Sequence, residues 1–212
     1  MISVIYFDLG GVTFYDFFSG GQHEMAEYLG ISVGRTHEAY VKTDVPDYSV
    51  GKVSDRERWQ LFAEELKLDP GKVDPLIQLF FNSYKVIEPT VRLIRHLREN
   101  FPDLKRGILS DQPSSVVNLL RSRHEDVLSL FHEDLVLISA EIGLSKRDAD
   151  LSVFRLALER SKVPGNEILY VDDSQTHLAN AEKVGISGFH FDIIRQRPAE
   201  LVKQVKQQII LS

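Results

Sequence analysis

The sequence predicts an α/β protein: an open, doubly wound parallel sheet with a small, all-helical segment inserted after the first strand. Three observations predict it. Short, continuous apolar runs recur along the chain, as in strands buried on both faces. Amphipathic helical patterns separate the later runs. Between residue 15 and about residue 87 the alternation stops, and helical patterns follow one another with no strand between them.

The expected strands are "ISVIYF" (2 to 7), "RGIL" (106 to 109), "DLVLIS" (134 to 139), "EILYV" (167 to 171) and "GFHF" (188 to 191). The expected helices of the sheet region run from Pro89 to Asn100, Pro113 to Arg121, Asp148 to Arg160 and Leu201 to Leu211. Strand and helix alternate, so the sheet should be parallel, with residues 1–14 and 88–212 as its domain.

Residues 15–87 read as a second, helical domain. Ser54 followed by Glu57 forms a capping-box pattern that starts one of its helices. Trp59 is expected as the core anchor of this bundle.

The bulk numbers narrow the function. The chain has 212 residues, 43% of them apolar, and a formal charge of −6, which argues against a nucleic-acid partner. It has no cysteine, so any metal must sit on oxygen or imidazole, and the expected compartment is the reducing cytoplasm. The first apolar run is far short of the roughly 20 residues of a membrane span, so no membrane partner is expected.

Ligand sites in open α/β sheets lie beyond the carboxyl ends of the strands. There the first run gives Asp8, the second Ser110 and Asp111, the third leads to Lys146, and the fourth gives Asp172 and Asp173. Acids, a hydroxyl and an ammonium on one rim suit phosphoryl transfer. Two or three carboxylates would hold Mg²⁺, and Asp8 would attack phosphorus. Ser110 would donate to a phosphoryl oxygen, and Lys146 would offset the gathered negative charge.

The motifs "FDLGGV" (7 to 12), "ILSD" (108 to 111), "SAEIGLSK" (139 to 146) and "YVDDS" (170 to 174), in this order, resemble those of the haloacid dehalogenase superfamily of aspartate-nucleophile hydrolases. The resemblance spans nearly the whole chain. It implies a Rossmann-like core, with residues 15–87 as the small helical cap of the subfamily that carries its cap after the first motif. It also implies a Mg²⁺-dependent phosphatase acting through an aspartyl-phosphate on a small phosphorylated metabolite, sugar phosphates included, as a monomer or homodimer. By that resemblance Asp8 is the nucleophile, Ser110 and Lys146 are catalytic, and Ser110, Asp111 and Lys146 bind substrate. Asp8, the Gly10 carbonyl, Asp172 and Asp173 would hold the metal.

Three departures from the family pattern stand out. Gly10 occupies the place of a second aspartate that ordinarily handles the leaving-group proton, Arg147-Asp148-Ala149 replaces a Pro-Asp-Pro run, and His177 stands where asparagine is common. Losing one acid–base group costs about 10²- to 10⁴-fold in rate, so a slow phosphatase is expected, with a phosphate-binding protein without turnover as the alternative. Asp111, Glu24 and Asp47 are the candidate replacement acids. His177 is expected to cap its helix, with reach to the acidic pair as the other option. Substrate choice should lie in cap loops around Tyr48, Gly20 and Gly21.

Overall fold

The computed structural model describes residues 1–191 together with Ile193, Glu200, Leu201, Lys203, Val205 and Gln207. Five strands form one parallel sheet: β1 (Val4–Phe7), β2 (Lys105–Ser110), β3 (Val136–Ile138), β4 (Ile168–Asp172) and β5 (Ser187–His190), in the spatial order β3-β2-β1-β4-β5. All five coincide with the expected apolar runs. The first strand, β1, is central, and the chain steps outward from it on both sides, which makes the sheet doubly wound.

The helices are α1 (Gln22–Leu29), α2 (Val33–Lys42), α3 (Pro46–Ser49), α4 (Asp55–Glu65), α5 (Val73–Ser83), α6 (Glu88–Asn100), α7 (Ser114–Arg123), α8 (Glu125–Leu128), α9 (Ser139–Ile142), α10 (Ser152–Ser161) and α11 (Gln175–Glu182). Much of the expected helix over 201–211 lies outside the described residues. Those described from Glu200 to Gln207 are helical, and Leu201 and Val205 are buried. Among the described residues no helix is long and apolar enough to cross a membrane.

Strand parity explains the two cores. Ile5, Phe7, Leu169 and Val171 face one apolar cluster, whereas Tyr6 and Tyr170 face the other, with Phe154 and Ala157 of α10. Helix α10 starts later than its sequence pattern suggests. Asp148 closes a turn by accepting from Ser145 N–H at 2.8 Å, and the Asp150 carboxylate accepts from Ser152 N–H at 3.1 Å, so regular helix begins at Ser152.

Helices α1 to α5 form the inserted segment. Its two connections run side by side: Tyr15 N–H donates to the Lys85 carbonyl at 2.8 Å, Ile87 N–H donates to the Thr13 carbonyl at 2.9 Å, and Phe14 and Val86 pair in antiparallel fashion between them. Ser54 and Glu57 cap α4 reciprocally. Trp59 is fully buried among Phe17, Tyr40, Phe62 and Phe80, as its sequence position implies. The buried Arg58 guanidinium donates to Thr43 Oγ1 and the Tyr40 carbonyl, each at 2.8 Å, and stacks on the Tyr40 ring. These contacts offset part of the cost of burying the charge, although Arg58 Nε has no hydrogen-bond partner among the described residues.

Candidate active site

Register brings the rim acids together. Phe7 pairs with Val171, so the residues that follow, Asp8 and Asp172, leave the sheet side by side from adjacent strands. Both share the face of Tyr6 and Tyr170, two residues behind them. Between them stands the Lys146 ammonium, 2.8 Å from Asp8 Oδ2 and 2.8 Å from Asp172 Oδ2, with all three side chains buried.

Lys146 arrives from the loop after α9, and Asp111 fixes that loop. One Asp111 oxygen accepts from Ser145 Oγ at 2.7 Å and the other from Lys146 N–H at 3.0 Å. Asn180 Nδ2 donates to the Lys146 carbonyl at 3.3 Å. Asp172 is held equally firmly: Ser174 N–H donates to its Oδ1 at 2.6 Å, His177 Nδ1 lies 3.3 Å from the same oxygen, and the Tyr170 hydroxyl donates to Oδ2. The cap role expected of His177 falls instead to Ser174, whose hydroxyl accepts from His177 N–H at 3.4 Å. Ser174 is the N-cap of α11, and the imidazole reaches the acidic pair.

Asp8 Oδ1 accepts from Leu9 N–H at 2.7 Å, which aims the carboxylate along the rim. Ser110 is buried beside it, with its hydroxyl 3.4 Å from Leu9 N and 3.5 Å from Gln112 Nε2. It lies behind the cavity wall. The Asp173 carboxylate accepts no hydrogen bond among the described residues, although His190 Nε2 holds its carbonyl at 2.9 Å. One oxygen each from Asp8, Asp172 and Asp173 can be taken such that all lie within 4.8 Å of one another.

Electrostatics follow from three acids around one base. Burial pushes the Asp8 carboxyl up to about 7, with Lys146 opposing the rise and Asp172 adding to it. Burial and the charges of Asp8 and Asp172 push Asp173 up to about 8. Burial alone would raise Asp172 too, yet Lys146 and His177 hold it well below the usual carboxylate range. Lys146 stays charged: burial would lower its pKa, but Asp172, Asp8 and Asp111 keep it well above the ordinary value. For His177, burial and Lys146 outweigh Asp172 and favour the neutral imidazole. A single ammonium therefore leaves the cluster short of positive charge, and its all-oxygen donor set suits a hard divalent ion such as Mg²⁺.

The cluster opens into a cavity of about 540 Å³ lined by Asp8, Gly10, Asp111, Lys146, Asp173 and His177, among others. A neighbouring cavity of about 260 Å³ reaches under the inserted helices, past Phe17, Tyr40, Tyr48 and Tyr84. Tyr48, in the short helix α3, lines the second cavity, whereas Gly20 and Gly21 line neither.

Two of the three candidate replacement acids are misplaced for that role. Glu24 pairs with Lys85 and Asp47 with Lys52, both at exposed positions away from the cavity. Asp111 lines it, but both its oxygens already fix the Lys146 loop. The sequence reading missed Asp16, which lines both cavities. Burial pushes its carboxyl up, opposed by hydrogen bonds from Ser19. The available signal was an acid among aromatics in "FYDFFS", directly after the turn that follows β1.

A parallel sheet, a helical insertion after the first strand and an acid–lysine rim define the fold of the haloacid dehalogenase superfamily, and this chain has that fold. Among solved structures, a HAD family enzyme from Bacteroides thetaiotaomicron in complex with magnesium and inorganic phosphate matches with a TM-score of 0.68 and 16% identity, over 95% of this chain and 99% of that one. A HAD-like family hydrolase from Porphyromonas gingivalis matches with a TM-score of 0.67 and 21% identity, over 98% of both chains. The L-2-haloacid dehalogenase of Xanthobacter autotrophicus, with chloropropionic acid covalently bound, matches with a TM-score of 0.64 and 19% identity, over 98% of this chain and 83% of that one. No protein-family model and no curated protein matches the sequence.

Proposed function

We propose that the protein is a Mg²⁺-dependent phosphohydrolase of the haloacid dehalogenase superfamily, acting on a small phosphorylated metabolite, with residues 15–87 as its cap. The observation that carries this reading is the Asp8–Lys146–Asp172 bridge, two 2.8 Å contacts at the floor of a cavity whose wall includes Asp173. The phosphate- and magnesium-containing structure of the Bacteroides enzyme, which shares the fold, supports it.

In this reading Asp8, Asp172, Asp173 and the Gly10 carbonyl would hold the ion. Bound there, Mg²⁺ supplies positive charge between the Asp8 anion and its anionic target. Asp8 Oδ attacks phosphorus and forms an aspartyl-phosphate as the ester oxygen departs. Lys146 favours the ionised form of Asp8 against the effect of burial and aims it, while Ser110 is buried against it. Asp111 holds the Lys146 loop in register. Tyr170, Ser174 and His177 fix the Asp172 carboxylate in place.

The test is phosphate release from a panel of phosphate esters, with and without Mg²⁺, by the wild type and Asp8→Asn. Mg²⁺-dependent release that Asp8→Asn abolishes is the expected result. Gly10 favours a second reading, a phosphate-binding protein without turnover. Stabilisation by phosphate plus Mg²⁺, with no product from any ester, would establish it instead.

A further inference from the structure

Gly10 and Asp16 share one space. A β-carbon added to Gly10 would stand 2.9 Å from Asp16 Oδ2 and 3.3 Å from Gln112 Nε2, closer to the carboxylate than real side chains pack. The glycine therefore leaves room that the Asp16 carboxylate fills. Asp16 also divides its oxygens between two tasks. Its Oδ1 accepts from Ser19 N–H at 2.8 Å and from Ser19 Oγ at 2.6 Å, capping the turn at Phe17–Gly21, while Oδ2 is turned to Gly10.

Position adds a second argument. Asp16 lines the cavity that contains Asp8, Lys146 and Asp173, and also the aromatic cavity beneath the inserted helices. A phosphoryl group held at Asp8 with its organic portion in the aromatic cavity would place the scissile oxygen at this junction. Of the other carboxylates facing the metal cavity, Asp8 and Asp173 belong to the ion-binding cluster, and Asp111 is engaged through both oxygens.

We propose that Asp16 is the general acid and base of the reaction, delivered from the first turn of the insertion into the space that Gly10 leaves open. This rests on the phosphohydrolase reading. When the P–O bond to the leaving group breaks, the Asp16 carboxyl passes its proton to the departing oxygen, which leaves as an alcohol. The resulting Asp16 carboxylate then takes a proton from the water that attacks phosphorus. The Asp8–phosphorus bond breaks, inorganic phosphate leaves, and both carboxyls return to their starting states. Because Asp16 belongs to the insertion, proton transfer is coupled to the seating of these helices on the core.

Leaving-group dependence tests the assignment. An alkyl phosphate needs a proton on its leaving oxygen, whereas 4-nitrophenolate departs without one. Asp16→Asn keeps the capping oxygen, and it should lower kcat/KM for an alkyl phosphate by about 10²- to 10³-fold and for 4-nitrophenyl phosphate by tenfold or less. The double variant Gly10→Asp/Asp16→Ser, in which serine keeps the cap and vacates the space, should recover at least tenfold of the alkyl activity. Equal losses on both esters, or no loss on either, would overturn the assignment while leaving the phosphohydrolase reading intact. A wild type that releases no phosphate from either ester in Mg²⁺ would sink both.

Discussion

Gly11 lies so close to Asp173 that a β-carbon added to it would stand 2.4 Å from Asp173 Oδ2, and Gly11 has a φ of +69°. Both facts demand glycine. The left-handed backbone costs an L-residue about 1 to 2 kcal/mol, and the contact leaves no room for a methyl group beside the carboxylate. Gly11→Ala should therefore displace Asp173 and weaken Mg²⁺ binding at least tenfold, read as the Mg²⁺ concentration needed for half-maximal thermal stabilisation. Unchanged Mg²⁺ affinity would show that Asp173 is not a ligand.

Lys146 offers the sharper stability test, because among the described residues it is the one ammonium or guanidinium contacting Asp8 and Asp172. Removing one member of a buried ion pair typically costs about 3 to 5 kcal/mol, since the partner charges remain buried. Lys146→Met should approach that loss in urea denaturation with EDTA, and Mg²⁺ should restore part of it. Activity should vanish in either case. A Met variant as stable as the wild type without metal would mean that Asp8 and Asp172 are not both charged.

Much of this site was legible because parallel-strand register is a sequence property. Asp8, Ser110, Asp172 and Asp173 end apolar runs, and a run that ends at the rim puts its polar stop there. Lys146 was legible as the lysine that the segment after the third run leads to, although the loop that carries it is irregular. What escaped was side-chain traffic across loops. Asp16 reaches Gly10 because the chain doubles back after β1, with Thr13 and Phe14 N–H both donating to the Leu9 carbonyl, a turn that no periodicity reports. Tyr170 reads as one more apolar strand residue, and nothing in "EILYVDD" reveals that its hydroxyl would meet Asp172. Glu24 and Asp47 looked suitable by residue type alone, and the helices carrying them turn both outward.

The raised carboxyls set a pH dependence with a definite sign. Burial pushes the Asp8 and Asp173 carboxyls of the folded protein up to about 7 and about 8, against an ordinary value of 3.8. Between these limits the folded state binds more protons than the unfolded one, so this cluster favours folding at low pH, and its contribution is lost as pH rises toward 8. Mg²⁺ requires the ionised forms and must displace those protons. The rise in Tm on adding Mg²⁺ should therefore be larger at pH 8.5 than at pH 6, and calorimetry near pH 7 should show proton release that scales with buffer ionisation enthalpy. Binding without proton release would contradict the crowding of Asp8, Asp172 and Asp173.

The residue after Lys146 departs from the pattern that the motifs resemble, and in the structure it makes a specific contact. Arg147 reaches across to the inserted segment and pairs with Asp44, just beyond the end of α2, and both line the aromatic cavity. The two side chains are 52% and 38% exposed, so the pair contributes about 0 to 1 kcal/mol to stability. Its position matters more than its strength. It ties the loop carrying Lys146 to the inserted segment, and in the phosphohydrolase reading it would resist an opening of that segment to admit substrate and release product. Arg147→Ala should leave Tm within a few degrees of wild type and raise KM several-fold, with kcat unchanged or higher where product release limits turnover. Salt screens an exposed pair, so raising NaCl toward 1 M should raise the wild-type KM toward that of the variant, while the variant responds less. An equal response to salt in both proteins would remove Arg147 and Asp44 from the opening step, leaving the pair a surface contact.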